Sequence, residues 1–265
     1  MRQFHGWALW LSLMLFAQLT GLRAENVCSV SDYRGTYAFH GTGAFVDLPP
    51  EAAPLAGPFA QAGTFTSDGQ GNLVIESIPS FNGFIAPSAQ DATYTITPDC
   101  VITFSLVLPI VDVPTTFLGV LSSANRQMNL MVVDPPGTVI SGEHAKQDLR
   151  FCGVGDFSGA YQIDLTGSRV APLERPGLFH RSGRLVSDGQ GSFTASTVAN
   201  YAGYLVQEDF DGTYTMTPRC TLELHYTNGG QEYTVTGYMA GHGEEVEAVV
   251  PMPGWAVAGS LRSQQ

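Results

Sequence analysis

Charge is scarce in this chain, and positive charge most of all. Charged residues make up 14% of it, with twelve Lys and Arg scattered against twenty-four Asp and Glu, for a formal net charge of −12. Nucleic acid and anionic membrane surfaces demand clustered cations, so neither is an expected partner. Helical periodicity is nearly missing after the first two dozen residues, and no later apolar run is long enough to cross a bilayer. The six histidines (His5, His40, His144, His180, His225 and His242) include no i, i+2 or i, i+4 pair, so a histidine-based metal centre lacks its framework. Gly69-Gln70-Gly71 and Gly189-Gln190-Gly191 precede no helix pattern and so are not phosphate cradles. Asp68 to Asn72 is too short for a calcium loop and lacks its closing Glu. No Gly-x-Ser-x-Gly nucleophile elbow occurs. The expectation is therefore no metal and no cofactor.

What is present begins with an export signal. Arg2 supplies positive charge, Trp7 to Leu19 is apolar, and Gly21-Leu22-Arg23-Ala24 ends in a small residue. This pattern predicts residues 1–24 as a signal peptide cleaved after Ala24, with a short anchor helix as the alternative. The destination is then outside the cell or a secretory lumen. Thirty glycines and sixteen prolines imply many turns, while 44% hydrophobic residues suffice for a sizeable core. Four cysteines in an exported chain predict two disulfides, with three pairings possible.

The remainder is written twice. Aligning Cys28 with Cys152 brings Asp32-Tyr33-Arg34-Gly35-Thr36-Tyr37 onto Asp156-Phe157-Ser158-Gly159-Ala160-Tyr161 at an offset of 124. Ser67-Asp68-Gly69-Gln70-Gly71 matches Ser187-Asp188-Gly189-Gln190-Gly191 at an offset of 120, so the first copy carries a four-residue insertion near its proline-rich Leu48 to Pro58. Thr93-Tyr94-Thr95-Ile96-Thr97-Pro98-Asp99-Cys100 matches Thr213-Tyr214-Thr215-Met216-Thr217-Pro218-Arg219-Cys220. The two copies span residues 25–147 and 148–265. Because the cysteines travel with the repeat, the economical pairing is Cys28–Cys100 and Cys152–Cys220.

Strand signals recur every 8–12 residues, divided by Gly, Pro, Asn and Asp. Asp68-Gly69 and Asp188-Gly189 are tight-hairpin signals, flanked on one side of the ladder by Phe65 and Leu73, and by Leu185 and Phe193. About eight strands per copy predict two tandem antiparallel up-and-down β-barrels, because closure removes exposed edges. A two-sheet sandwich is the competing architecture. Gly41, Gly43 and Gly63 within strand patterns suggest the bends of a small barrel. The motifs Gly-x-Tyr-x-Phe, Ser-Asp-Gly-x-Gly-Asn and Thr-Tyr-Thr-x-x-Pro-Asp-Cys resemble those of a group of small exported microbial β proteins. That resemblance implies a barrel similar to the calycin and allene-oxide-cyclase-like folds. The second copy departs from the motifs at Ile163, Ser192 and Arg219.

Function is sought in ionisable residues of the strand patterns. The second copy holds Asp164, His180, Arg181, Arg184, Glu223, His225 and Glu232 where the first offers residues such as Ala60, Gln61, Thr64, Thr103 and Ser105. If those faces line a lumen, Asp164, His180, Arg184 and His225 are the candidate catalytic groups, polarising a substrate that Tyr161, Tyr214 and Trp255 shape. If the faces look at solvent, the difference is surface divergence. The resemblance admits a cofactor-free cyclase or isomerase, similar to small Diels–Alderase-like barrels, that folds an apolar intermediate for secondary metabolism. The alternative is a secreted, non-catalytic binding protein for an apolar small molecule. An adhesive protein would need exposed sticky strands.

Overall fold

The computed structural model describes residues 27–48, 50, 52–108, 113–122, 127–148 and 151–264. The expected signal peptide lies outside them. Among the described residues no helix is long and apolar enough to cross a membrane.

Two closed barrels follow one another. The first contains β1 (Arg34–Phe45), β2 (Gly57–Asp68), β3 (Asn72–Phe81), the short β4 (Phe84–Ile85), β5 (Ser88–Ile96), β6 (Val101–Leu108), β7 (Val113–Leu121), β8 (Gln127–Asp134) and β9 (Thr138–Lys146). Each long strand pairs antiparallel with the next, β9 closes on β1, and β4 pairs only with the end of β3. The second runs through β10 (Ser158–Arg169), β11 (Gly177–Asp188), β12 (Ser192–Tyr201), β13 (Tyr204–Met216), β14 (Thr221–Asn228), β15 (Gln231–Ala240), β16 (Glu245–Val249) and β17 (Trp255–Ser263), which pairs back on β10. Closure satisfies the edge strands that a sandwich would have to protect. Both disulfides pair within their copies, Cys28 with Cys100 and Cys152 with Cys220.

The repeated motifs build one closed end of each barrel. A 3-10 turn (Val30–Asp32 or Val154–Asp156) presents Tyr33 or Phe157, both fully buried, as a plug. Tyr94 Oη donates to the Val30 and Tyr33 carbonyls, each at 2.9 Å, and Tyr214 Oη to those of Val154 and Phe157 at 3.0 and 2.9 Å. The Ser67 and Ser187 hydroxyls donate to the same plug carbonyls, Tyr33 O and Phe157 O. Asp68 and Asp188 fold the adjoining hairpins by accepting the Gln70 and Gln190 amides, each at 2.7 Å. The bends come from close approach: a Cβ on Gly43 would lie 1.9 Å from the Val139 carbonyl oxygen, and one on Gly63 2.1 Å from that of Glu76.

Each barrel has its own core, and a third cluster joins them. Ala38, Ala60, Ala62 and Ala145 from the outside of the first barrel meet Tyr238, Ala240, Val249, Ala256 and Ala258 from the outside of the second. Small side chains let the two curved sheets approach closely. Polar contacts frame the joint: Ser80 Oγ donates to the Trp255 carbonyl at 2.6 Å, Arg262 reaches Glu143 at 2.7 Å, and His40 Nδ1 bonds the fully buried Glu247. Burial pushes the Glu247 carboxyl up to about 7 against the pull of His40. Burial opposes the proton of His40, but the hydrogen bond to Glu247 and the charges of Glu247, Glu143 and Glu245 raise it above its usual value.

Candidate functional site

Strand alternation decides which side chains enter each lumen. In β10 the inward set is Tyr161, Ile163, Leu165 and Arg169, which turns Gln162, Asp164 and Thr166 outward. Asp164 and His180 hydrogen-bond at 2.8 Å on the outer surface, with side chains 55% and 54% exposed. They border an outer cleft of about 760 Å³. Arg184 is exposed on the same face, and His225 is 47% exposed beside Glu223. The four candidate polarising groups therefore sit outside the barrel. The lumen reading placed them on the wrong parity, and the solvent-face reading describes them.

The three candidate shaping residues are inside but separated. Tyr161 stacks on Phe157 with centroids 4.4 Å apart and donates to the Gly243 carbonyl at 2.9 Å, so it belongs to the plug with Tyr214. Trp255 lies at the opposite end, paired in register with Arg169. Only Trp255 neighbours the polar groups of the lumen.

Those polar groups are Arg181, Glu208, Tyr201, Tyr226 and Arg169, drawn from β11, β13, β12, β14 and β10. Arg181 is 3% exposed and Glu208 9%. Arg181 Nη2 donates to Glu208 Oε2 at 2.5 Å and to Tyr201 Oη at 3.3 Å, and Nη1 donates to Tyr226 Oη. Tyr201 Oη donates to Glu208 Oε1 at 2.8 Å, which closes the network. Burial opposes the charge on Arg181, but Tyr226, Glu208 and Tyr201 hold its proton more firmly than usual. Burial, joined by Glu208, raises the Tyr201 phenol well above its usual range.

In the first barrel the matching positions are Gln61, Ser88, Phe81 and Leu106, as the strand registers show. A buried ion pair rarely adds stability over apolar packing of equal volume, so stability alone does not account for one in a single copy. The void beside Arg181 and Phe210 is about 20 Å³, as is its counterpart beside Gln61 and Ser88. That is room for about one water molecule.

Parity was the signal that could have found this network. Leu185 faces inward beside the Asp188-Gly189 hairpin, and stepping back by twos reaches Gly183, Arg181 and Phe179. The same step from Phe210 reaches Glu208. Sequence reasoning weighed Arg181 among the ionisable residues but passed over Arg169, Glu208, Tyr201 and Tyr226.

No family model and no curated protein matches this chain. Among solved structures it is similar to a protein of unknown function from the DUF3598 family of Nostoc punctiforme, at 9% identity and a TM-score of 0.25, over 88% of this chain and 97% of that one. A likeness at that level carries no argument about function.

Proposed function

We propose that the chain is an exported binding protein for an apolar small molecule, held at the Trp255 end of the second barrel, with the first barrel as a docked support. The observation that carries this reading is the Arg181–Glu208–Tyr201–Tyr226 network, a buried, hydrogen-bonded polar anchor in one lumen that is missing from its sibling. Binding sites typically pair apolar and aromatic walls with a few placed polar groups. Here Phe179, Tyr233 and Trp255 form the aromatic wall, with Trp255 centroids 5.1 Å from Phe179 and 5.8 Å from Tyr233. Two disulfides accord with export.

The cofactor-free cyclase or isomerase draws on the same residues, since the Tyr201 and Tyr226 hydroxyls could polarise a bound intermediate. A void beside Arg181 that holds about one water leaves little room there to enclose a reacting chain.

Trp255 is the single tryptophan beyond the expected signal peptide, so its emission reports on this end alone. Titration with 1-octanol should change that emission saturably, with a stoichiometry of one. An unsaturable or absent response would contradict the binding reading.

A further inference from the structure

Arg181 has its carboxylate; Arg169 has none. Arg169 is the last residue of β10 and is 8% exposed, at the end of the lumen away from the plug. Its guanidinium carbon lies 5.0 Å from the Tyr201 ring centroid and 4.9 Å from that of Trp255. Its buried Nε has no hydrogen-bond partner. Among the described residues no ion pair reaches it. Glu208, the buried carboxylate of this lumen, is committed to Arg181 and Tyr201. The two rings shield the cation and attract it, but they offer no oxygen to its N–H fork. The first barrel has Phe45 at this position, paired with Thr138 as Arg169 is with Trp255. One copy thus fills the place with a hydrocarbon, and the other places a nearly buried, unpaired cation there.

Resting on the binding reading above, we propose that the ligand carries a carboxylate on its apolar body and that Arg169 receives it. A guanidinium presents parallel N–H donors at the spacing of carboxylate oxygens, and the low exposure of the site strengthens that pairing over its value in water. The aromatic rings around Arg169 would pack the hydrocarbon next to the head group. The net negative charge of the chain does not favour anions in general, so the preference should reside at this position and not in the overall field.

The test compares three probes of one chain length, octanoate, 1-octanol and octylammonium, by the emission of Trp255 in the mature protein at neutral pH. The expected result is octanoate binding at least about tenfold tighter than octanol, and octylammonium weaker than either. Arg169→Gln should remove the advantage of octanoate over octanol, whereas Arg169→Lys should keep part of it. The ordering of the three probes needs no variant, so it decides the matter even if Arg169→Gln fails to fold. Octanol binding with octanoate no tighter, or an octanoate advantage that survives Arg169→Gln, would overturn the carboxylate inference alone. No saturable response to any probe would overturn the binding reading itself.

Discussion

The outer face of β1 and β2 in the first barrel carries Ala38, Ala60 and Ala62; the same face of β10 and β11 carries Gln162, His180 and Ser182. The alanines lie against the second barrel, whereas their counterparts meet water. The contrast between His180 and Ala60 is therefore a consequence of docking, whereas Thr103 and Ser105, the counterparts of Glu223 and His225, stand on β6 outside that cluster. Duplication turns one copy's surface into an interior, and the other copy keeps the polar surface an end unit needs. The inner faces differ for another reason. Gln61, Ser88, Phe81, Leu106 and Phe45 give way to Arg181, Glu208, Tyr201, Tyr226 and Arg169, and none of these residues belongs to the hydrophobic cluster that joins the barrels. Asymmetry between repeats points to a site only where both copies share an environment.

The comparison breaks first at the buried ion pair. Arg181→Leu strands Glu208 in the lumen and should cost about 3 to 5 kcal/mol by urea unfolding, while Arg181→Gln combined with Glu208→Ser, the first barrel's pair, should cost much less. Equal losses would mean that the network is a structural necessity of the second barrel. Next come the cystines, which close loops of 72 and 68 residues. Replacing either pair by alanine should cost about 4 kcal/mol, and similarly in both barrels, as the loop lengths require.

Acid and base should then separate the joint from the first core. Glu247 gains its proton more readily folded than unfolded, so its contribution is full below its ordinary value of 4.5 and is lost as pH rises through about 7. His40, also raised, loses its contribution in the same direction, while Glu143, Glu245 and Arg262 stand around the pair. His144 behaves oppositely. Burial against Tyr33, Tyr37 and Phe65 lowers it to about 3, so its contribution is full above 6.5 and is lost as pH falls toward 3. Thermal unfolding of Glu247→Gln should lose the alkaline slope, and His144→Leu, which installs the second barrel's residue (Leu261 pairs with Ile163 as His144 pairs with Phe39), should lose the acid one. A slope unchanged in its variant would place that proton elsewhere. The smallest effects belong to the outer face: Asp164→Ala, His180→Ala, Arg184→Ala and His225→Ala should each change stability by no more than about 0.5 kcal/mol and leave octanol binding as it was.

Much of the fold was legible because the repeat supplied its own control. Two copies of Asp-aromatic-x-Gly-x-Tyr and Thr-Tyr-Thr, each with a cysteine, foreshadowed two closed units and their disulfides, and the Asp-Gly turns fixed strand pairing. The role of those motifs was less visible. Tyr94 and Tyr214 hold plug carbonyls roughly sixty residues away, a contact no local pattern announces. In the sequence His180 and its neighbour Arg181 look equally eligible, because strand alternation separates two faces without saying which one lines the lumen; burial places Arg181 inside and His180 outside. Arg169 escaped notice because its meaning lies in the lack of a partner, which only three dimensions display.

The central claim is that the second lumen differs from the first by function and not by accident. It is tested most directly by giving the second barrel the first barrel's lumen, with Arg169→Phe, Arg181→Gln, Tyr201→Phe, Glu208→Ser and Tyr226→Leu together, and titrating Trp255 emission with octanoate. The account predicts a cooperatively folded protein whose saturable response is gone. A folded protein that still binds octanoate as the parent does would contradict it.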